Sequence, residues 1–173
     1  MASTYQLPAD FLSSPAPNIE RRDINFLQEG IPENEDAWAV VLDNVMNEEE
    51  CSQLIAAAEA TTNGKWERAL INIGGGRQAM YEDRRKCGRI IWDNREIMAK
   101  LWARIEVHVP EIQRLQEWPN VTGMGPTRRK ETWRLTRLNE RARCLKYTGG
   151  EYFKGMRFEG AISSWLLIPS SAL

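Results

Sequence analysis

Basic side chains fall in two groups, Arg84, Arg85, Lys86 and Arg89, then Arg128, Arg129 and Lys130. With Trp92 and Trp133 close by in sequence, such groups suit phosphate contacts combined with base stacking. A sequence pI of about 6.0 and the lack of an RNA- or DNA-binding motif speak against that use. A nucleic-acid-binding module built on residues 84–89 and 128–130 is therefore the alternative reading, and nucleic acid is not the expected partner. The triple glycine Gly74-Gly75-Gly76 has the composition of a phosphate cradle, but no helix cap or P-loop lysine follows it, so a loop or hairpin is expected. His108 is the sole histidine of the chain. It falls at the expected C-terminal end of a helix, where a protonated imidazole suits the dipole, so a capping or surface role is expected. Cys51, Cys87 and Cys144 are widely spaced, odd in number and form no CxxC pair, which supports neither a zinc site nor a disulfide framework. Reduced, mostly buried thiols in a cytoplasmic or nuclear compartment are the expectation.

At 173 residues, with 42% hydrophobic and 27% charged side chains, the chain has the size and composition of one soluble domain. Seven tryptophans call for extensive burial of aromatic surface. The N-terminus has no basic segment leading into an apolar one, and no apolar run is long enough to span a bilayer, so neither a secretory signal nor a membrane partner is expected. Residues 1–60 carry about −10 and the remainder about +9. Such polarity marks an anion-binding half or two halves that complement each other's fields.

The elements that must position these groups are readable in outline. Residues 1–35 are rich in Pro, Ser, Asn and acid and read as a flexible arm that drapes over the domain or stays disordered. Ala37–Asp43 reads as a buried strand. Asn47 and Glu50 form a capping-box pair opening a helix with Leu54, Ile55 and Ala58 on one face, closed by Gly64. Strands are expected at Lys65–Ile73 and Cys87–Trp92. Asp93 and Asn94 cap a second helix that carries Ile97, Leu101, Trp102 and Ile105 and ends at Pro110. Residues 111–131 read as an exposed loop, Trp133–Leu138 and Arg143–Tyr147 as strands, and Gly149-Gly150 as a turn. No internal repeat is present.

The run Arg137–Lys154, RLNERARCLKYTGGEYFK, resembles the approach to the metal site in the prolyl-hydroxylase-like Fe(II)/2-oxoglutarate-dependent dioxygenases. That family places a basic residue and tyrosine, a glycine-containing turn and an aromatic just ahead of its iron ligands. The blocks AWAVVLDNVMNEEECSQLI and RRKCGRIIWDNREIMAKLWARI resemble it more weakly, so the likeness covers residues 36–154. It implies an α+β fold, a double-stranded β-helix (jelly roll) with N-terminal flanking helices. The complete family domain is an oxidoreductase. It uses Fe(II) held by two histidines and an aspartate, 2-oxoglutarate as co-substrate and ascorbate as an auxiliary reductant, and it hydroxylates a protein or small-molecule substrate. Tyr147 matches the tyrosine that in relatives points into the 2-oxoglutarate pocket, which makes it the one candidate co-substrate contact; a core aromatic at a strand end is its other reading.

This chain departs from the pattern directly after Lys154. No His-any-Asp follows, no second histidine exists, and the later carboxylate-gripping residue has no counterpart. The expectation is an incomplete jelly roll, truncated before the iron motif, with no catalytic residue, no metal ligand and no cofactor bound. Residues 155–173 read as a non-family tail, of the kind left by a retained intron or shifted reading frame, in which Trp165, Leu166, Leu167 and Ile168 cover part of an open sheet. The partners that suit such a chain are a substrate protein or a full-length relative paired through the open edge, which would make it a regulatory fragment.

Overall fold

A computed structural model of the protein describes residues 5–14 and 18–154, and the expectations for the tail at 155–173 lie outside the described residues. Helices and strands are mixed, and the strands form several small antiparallel sheets, none of which closes. The central sheet joins β3 (Glu67–Arg68), β7 (Gly88–Asp93) and β8 (Arg141–Lys146), in the order β3-β7-β8. In it Gly88 pairs with Lys146, Ile90 with Cys144 and Asp93 with Arg141. Around it lie three two-stranded sheets. The first pairs β1 (Glu20–Asp23) with β2 (Val40–Asp43), the second β4 (Ile71–Asn72) with β5 (Gln78–Ala79), and the third β6 (Arg85–Lys86) with β9 (Tyr152–Phe153).

The two expected helices form where their caps place them. Helix α1 (Glu48–Thr61) opens on a complete capping box: Asn47 Oδ1 accepts the Glu50 amide at 2.8 Å and Glu50 Oε2 accepts the Asn47 amide at 3.0 Å. Its core face is Leu54, Ala57 and Ala58, with Ile55 only half-buried. Gly64, at φ +75°, returns its N–H to Glu59 O at 2.8 Å and ends the helix in the left-handed conformation that glycine adopts freely. Asn94 caps α2 (Arg95–Ile105) by accepting the Ile97 amide. That helix stops earlier than Pro110 requires, and a 3-10 turn, Glu106–His108, completes the segment.

Five expectations for the backbone change. The buried strand expected at Ala37–Asp43 forms only over Val40–Asp43 and is half-buried at Val40, Val41 and Leu42. Lys65–Ile73 is two short strands with different partners: Ala69 donates to Cys87 O between them, and the chain turns from β7 toward β5. Residues 111–131 contain a 3-10 turn and two short helices, α3 (Pro119–Thr122) and α4 (Met124–Arg128), separated by Gly123 at φ +87°. Trp133–Leu138 forms no strand, because its partner is the irregular stretch around Ile112 and Leu115 and only a single bridge, Leu115 to Trp133, results. The strand expected at Arg143–Tyr147 runs Arg141–Lys146 and leaves Tyr147 just past its end.

The main core gathers Phe11, Leu12, Leu54, Ile97 and Leu101, with Trp92, Met98 and Leu138 packed against it. Phe11 and Leu12 belong to the segment read as an arm, as does β1, which supplies the partner for β2. Arg21 of β1 also forms a two-toothed pair with Glu111 and donates to His108 O at 2.8 Å. Among the described tryptophans only Trp102 is buried; Trp38 and Trp118 meet edge to face at 5.9 Å, and Trp133 is about half exposed.

Candidate functional site

Side chains alternate across a strand, so paired residues show which groups share a face. On β7 and β8 the face toward the helices carries Gly88, Ile90 and Trp92 with Cys144. Here Ile90 is 1% exposed, and a Cβ at Gly88 would come within 3.0 Å of Trp66 Cβ. Lys146 Nζ lies 5.4 Å above the Trp66 ring. Burial pushes the Cys144 thiol up, which keeps it protonated and unreactive.

The opposite face is polar. Along Arg85, Cys87 and Arg89 the spacing of two puts three buried side chains in one row, at 5%, 0% and 7% exposure. Across from them stand Phe153, Tyr147 and Leu145, followed by Arg143 opposite Ile91. Arg85 Nε donates to Cys87 Sγ at 3.3 Å, and its guanidinium lies 4.8 Å over the Phe153 ring. Tyr147 is half-buried. Burial first, and then the adjacent Cys87 thiol, push its phenol above the ordinary range of about 10, while nearby Arg85 pulls the other way. The phenol is thus a neutral hydrogen-bond donor at any physiological pH.

The turn that delivers β9 to this face is built locally. Gly150 takes φ +79°, Glu151 N–H returns to Thr148 O at 2.8 Å, and the Glu151 carboxylate accepts the Thr148 amide and pairs with Arg68. Beyond it, Tyr152 donates its hydroxyl to Glu82 O at 3.0 Å, and Lys154 N–H donates to Arg84 O at 2.9 Å. Phe153 is thereby brought onto the face of Arg85, with Gly149 and Gly150 in the turn that follows Tyr147. Lys154 falls on the other side, its Nζ 5.3 Å over the Tyr152 ring.

Arg89 is the residue that sequence reasoning passed over, having counted it only as part of a basic run. Its Nη1 reaches Gln78 Oε1 at 3.4 Å, and its Nε has no hydrogen-bond partner. Glu67, directly across on β3, is exposed and forms no ion pair with it among the described residues. Desolvation is the largest influence on this guanidinium and lowers its pKa; the Glu67 carboxylate opposes it, and Arg85 and Arg143 act with it. The available signal was the period-two row Arg85–Cys87–Arg89, which sets two arginines on the same side of a strand.

The other candidates lie elsewhere. His108 sits in the 3-10 turn after α2, with its carbonyl taken by Arg21. The basic group at 128–130 follows α4, where Arg129 pairs with Glu131. No hydrogen bond, ion pair or ring contact joins it to Arg89, so the two basic groups do not form one continuous surface. The Gly74–Gly76 loop is the hairpin turn between β4 and β5, all three glycines having positive φ.

Fe(II) held as in the prolyl-hydroxylase-like family does not fit these residues. Around Tyr147 stand a thiol and guanidinium groups, and the sole histidine of the chain is tied into another part of the fold. Among the described residues no cluster of three His, Cys, Asp or Glu side chains has metal-binding geometry, and no helix is long and apolar enough to cross a membrane. No family model, curated protein or solved structure matches the chain.

Proposed function

We propose that this chain corresponds to the N-terminal portion of a prolyl-hydroxylase-like dioxygenase domain and, lacking the iron ligands, serves as a catalytically incompetent scaffold of that lineage. The observation that carries the reading is the placement of Tyr147. The residue that the resemblance ties to 2-oxoglutarate lies on the polar sheet face, opposite Cys87, and not on the helix-packed face. An incomplete jelly roll would have this arrangement, with helices on one side of the sheet and a polar, pocket-facing row on the other.

A chimera tests the lineage. Residues after Lys154 are replaced by the iron-ligand half of a prolyl-hydroxylase-like oxygenase, and Fe(II) binding and 2-oxoglutarate decarboxylation are measured. A folded chimera should do both, and Tyr147→Phe should raise its KM for 2-oxoglutarate. A well-folded chimera that binds neither ligand would sink the proposal. Calorimetry on the 173-residue chain itself should show no tight Fe(II) binding; tight binding would overturn the claim of incompetence.

A further inference from the structure

We propose that Arg89, with Arg143 beside it, forms a carboxylate-binding site on the polar face of the β7–β8 pair. Arg89 is 93% removed from solvent, yet no carboxylate among the described residues forms an ion pair with it, and Glu67 across on β3 acts on it only at longer range. Its single hydrogen bond, to Gln78, uses Nη1. The remaining side-on edge, Nε–H and Nη2–H, makes no hydrogen bond within the described chain. Two parallel N–H groups on a planar guanidinium match the two oxygens of a carboxylate, and this is the pairing that arginine makes better than lysine.

The surroundings favour an anion and not a metal or an apolar group. Arg143 is opposite Ile91 and thus diagonal to Arg89 on the same face, half-buried, and without an ion pair among the described residues. Its charge and that of Arg85 both weigh on Arg89, against the exposed Glu67 carboxylate across on β3, which acts on it without pairing. A buried guanidinium flanked by like charges is costly unless a counter-charge meets it. Ile91, 38% exposed between the two arginines in the strand pattern, keeps this face open at its edge. The site differs from the Tyr147 position, where the Arg85 guanidinium is already engaged by the Cys87 thiol and the Phe153 ring, and it does not depend on the lineage proposed above.

The carboxylate can come from a small free acid or from an acidic side chain of a polypeptide, and two probes separate the sources. In the full chain labelled with nitrogen-15, the Arg89 Nε–H signal is assigned by its loss in Arg89→Lys. It is then followed during titration with sodium acetate, or with a pentaglutamate peptide, at constant ionic strength set by chloride. A saturating downfield shift of that signal is expected, and the probe with the lower Kd names the source. Arg143→Gln, at a half-exposed position, should weaken binding about tenfold, the loss of one charge-assisted contact. No shift with either probe would overturn the site, and unchanged binding in Arg143→Gln would remove that residue from it. A second measurement needs no ligand: Arg89→Met should melt at the same temperature as the parent or higher, because it deletes an unpaired buried charge. A markedly lower melting temperature would mean that Arg89 is already satisfied in the free protein, and would also overturn the proposal.

Discussion

Arg104 and Arg89 are 9% and 7% exposed, but only Arg104 carries a carboxylate. On α2, Arg104 grips Glu50 with both terminal nitrogens, at 2.6 and 2.9 Å, and also donates to Val45 O and Ser14 O. Its Nε is left without a partner, as is that of Arg89, so a stray N–H is not the difference. The difference is neutralisation. Glu50 closes the capping box of α1 with one oxygen and holds Arg104 with both, which ties two helices and the N-terminal segment into one knot. Arg89 has only a long contact to an amide. One buried arginine therefore belongs to the architecture, whereas the other has no structural role that its contacts explain.

The largest test of this contrast is Glu50→Gln. It leaves Arg104 buried without its counter-charge, and the loss should be about 3–5 kcal/mol in urea melts, against a neutral or favourable change for Arg89→Met. A small loss would mean that Val45 O and Ser14 O suffice, and the contrast would collapse. Acid should expose the same knot. The side-chain bond from Arg104 holds the Glu50 carboxyl below its ordinary 4.5, so its contribution is fully present above that pH and is lost as pH falls through the lower folded value. Urea midpoints from pH 7 down to pH 3 should fall less steeply in Glu50→Gln than in the parent.

Smaller changes sharpen the comparison. Gly88→Ala brings a methyl group against Trp66 Cβ at 3.0 Å on the packed face of β7, and should cost about 1–3 kcal/mol with an altered Trp66 fluorescence. Asn47→Ala removes one member of the capping box while sparing the ion pair, and about 1 kcal/mol of lost stability is expected. If it matched Glu50→Gln, the cap and not the charge pair would be the main contribution of Glu50. The pair Asp93–Arg141, at 2.9 Å, is about half exposed at both ends. Asp93→Asn should leave the urea midpoint unchanged, because solvent screens such a pair.

The sequence made the two helices legible because their caps are local: Asn47 with Glu50, and Asn94 with Ile97, act within one turn. The strand at Gly88–Asp93 was legible from its apolar run. Trp133–Leu138 misled because apolar and β-compatible residues need a partner strand, and residues 112–115 do not supply one. Phe11 and Leu12 were hidden in a stretch whose prolines and acids speak for disorder, although two well-placed apolar side chains are enough to dock it. At the candidate site, Tyr147 could be singled out from its run of neighbours. Arg89 could not, because its burial depends on Gln78 and on a cross-strand register set more than fifty residues later, at Leu145.

The docking of Phe11 and Leu12 against Leu54, Ile97 and Leu101 has a consequence for how the chain is made. On a translating ribosome, Ile97 is added 85 positions after Leu12. At about 5–20 residues per second, the earlier pair waits roughly 4–17 s before its seat is even synthesised. For that interval it is bare apolar surface available to chaperones. A bulky fusion placed just ahead of it would have to stand clear of α1 and α2 before the core could shut.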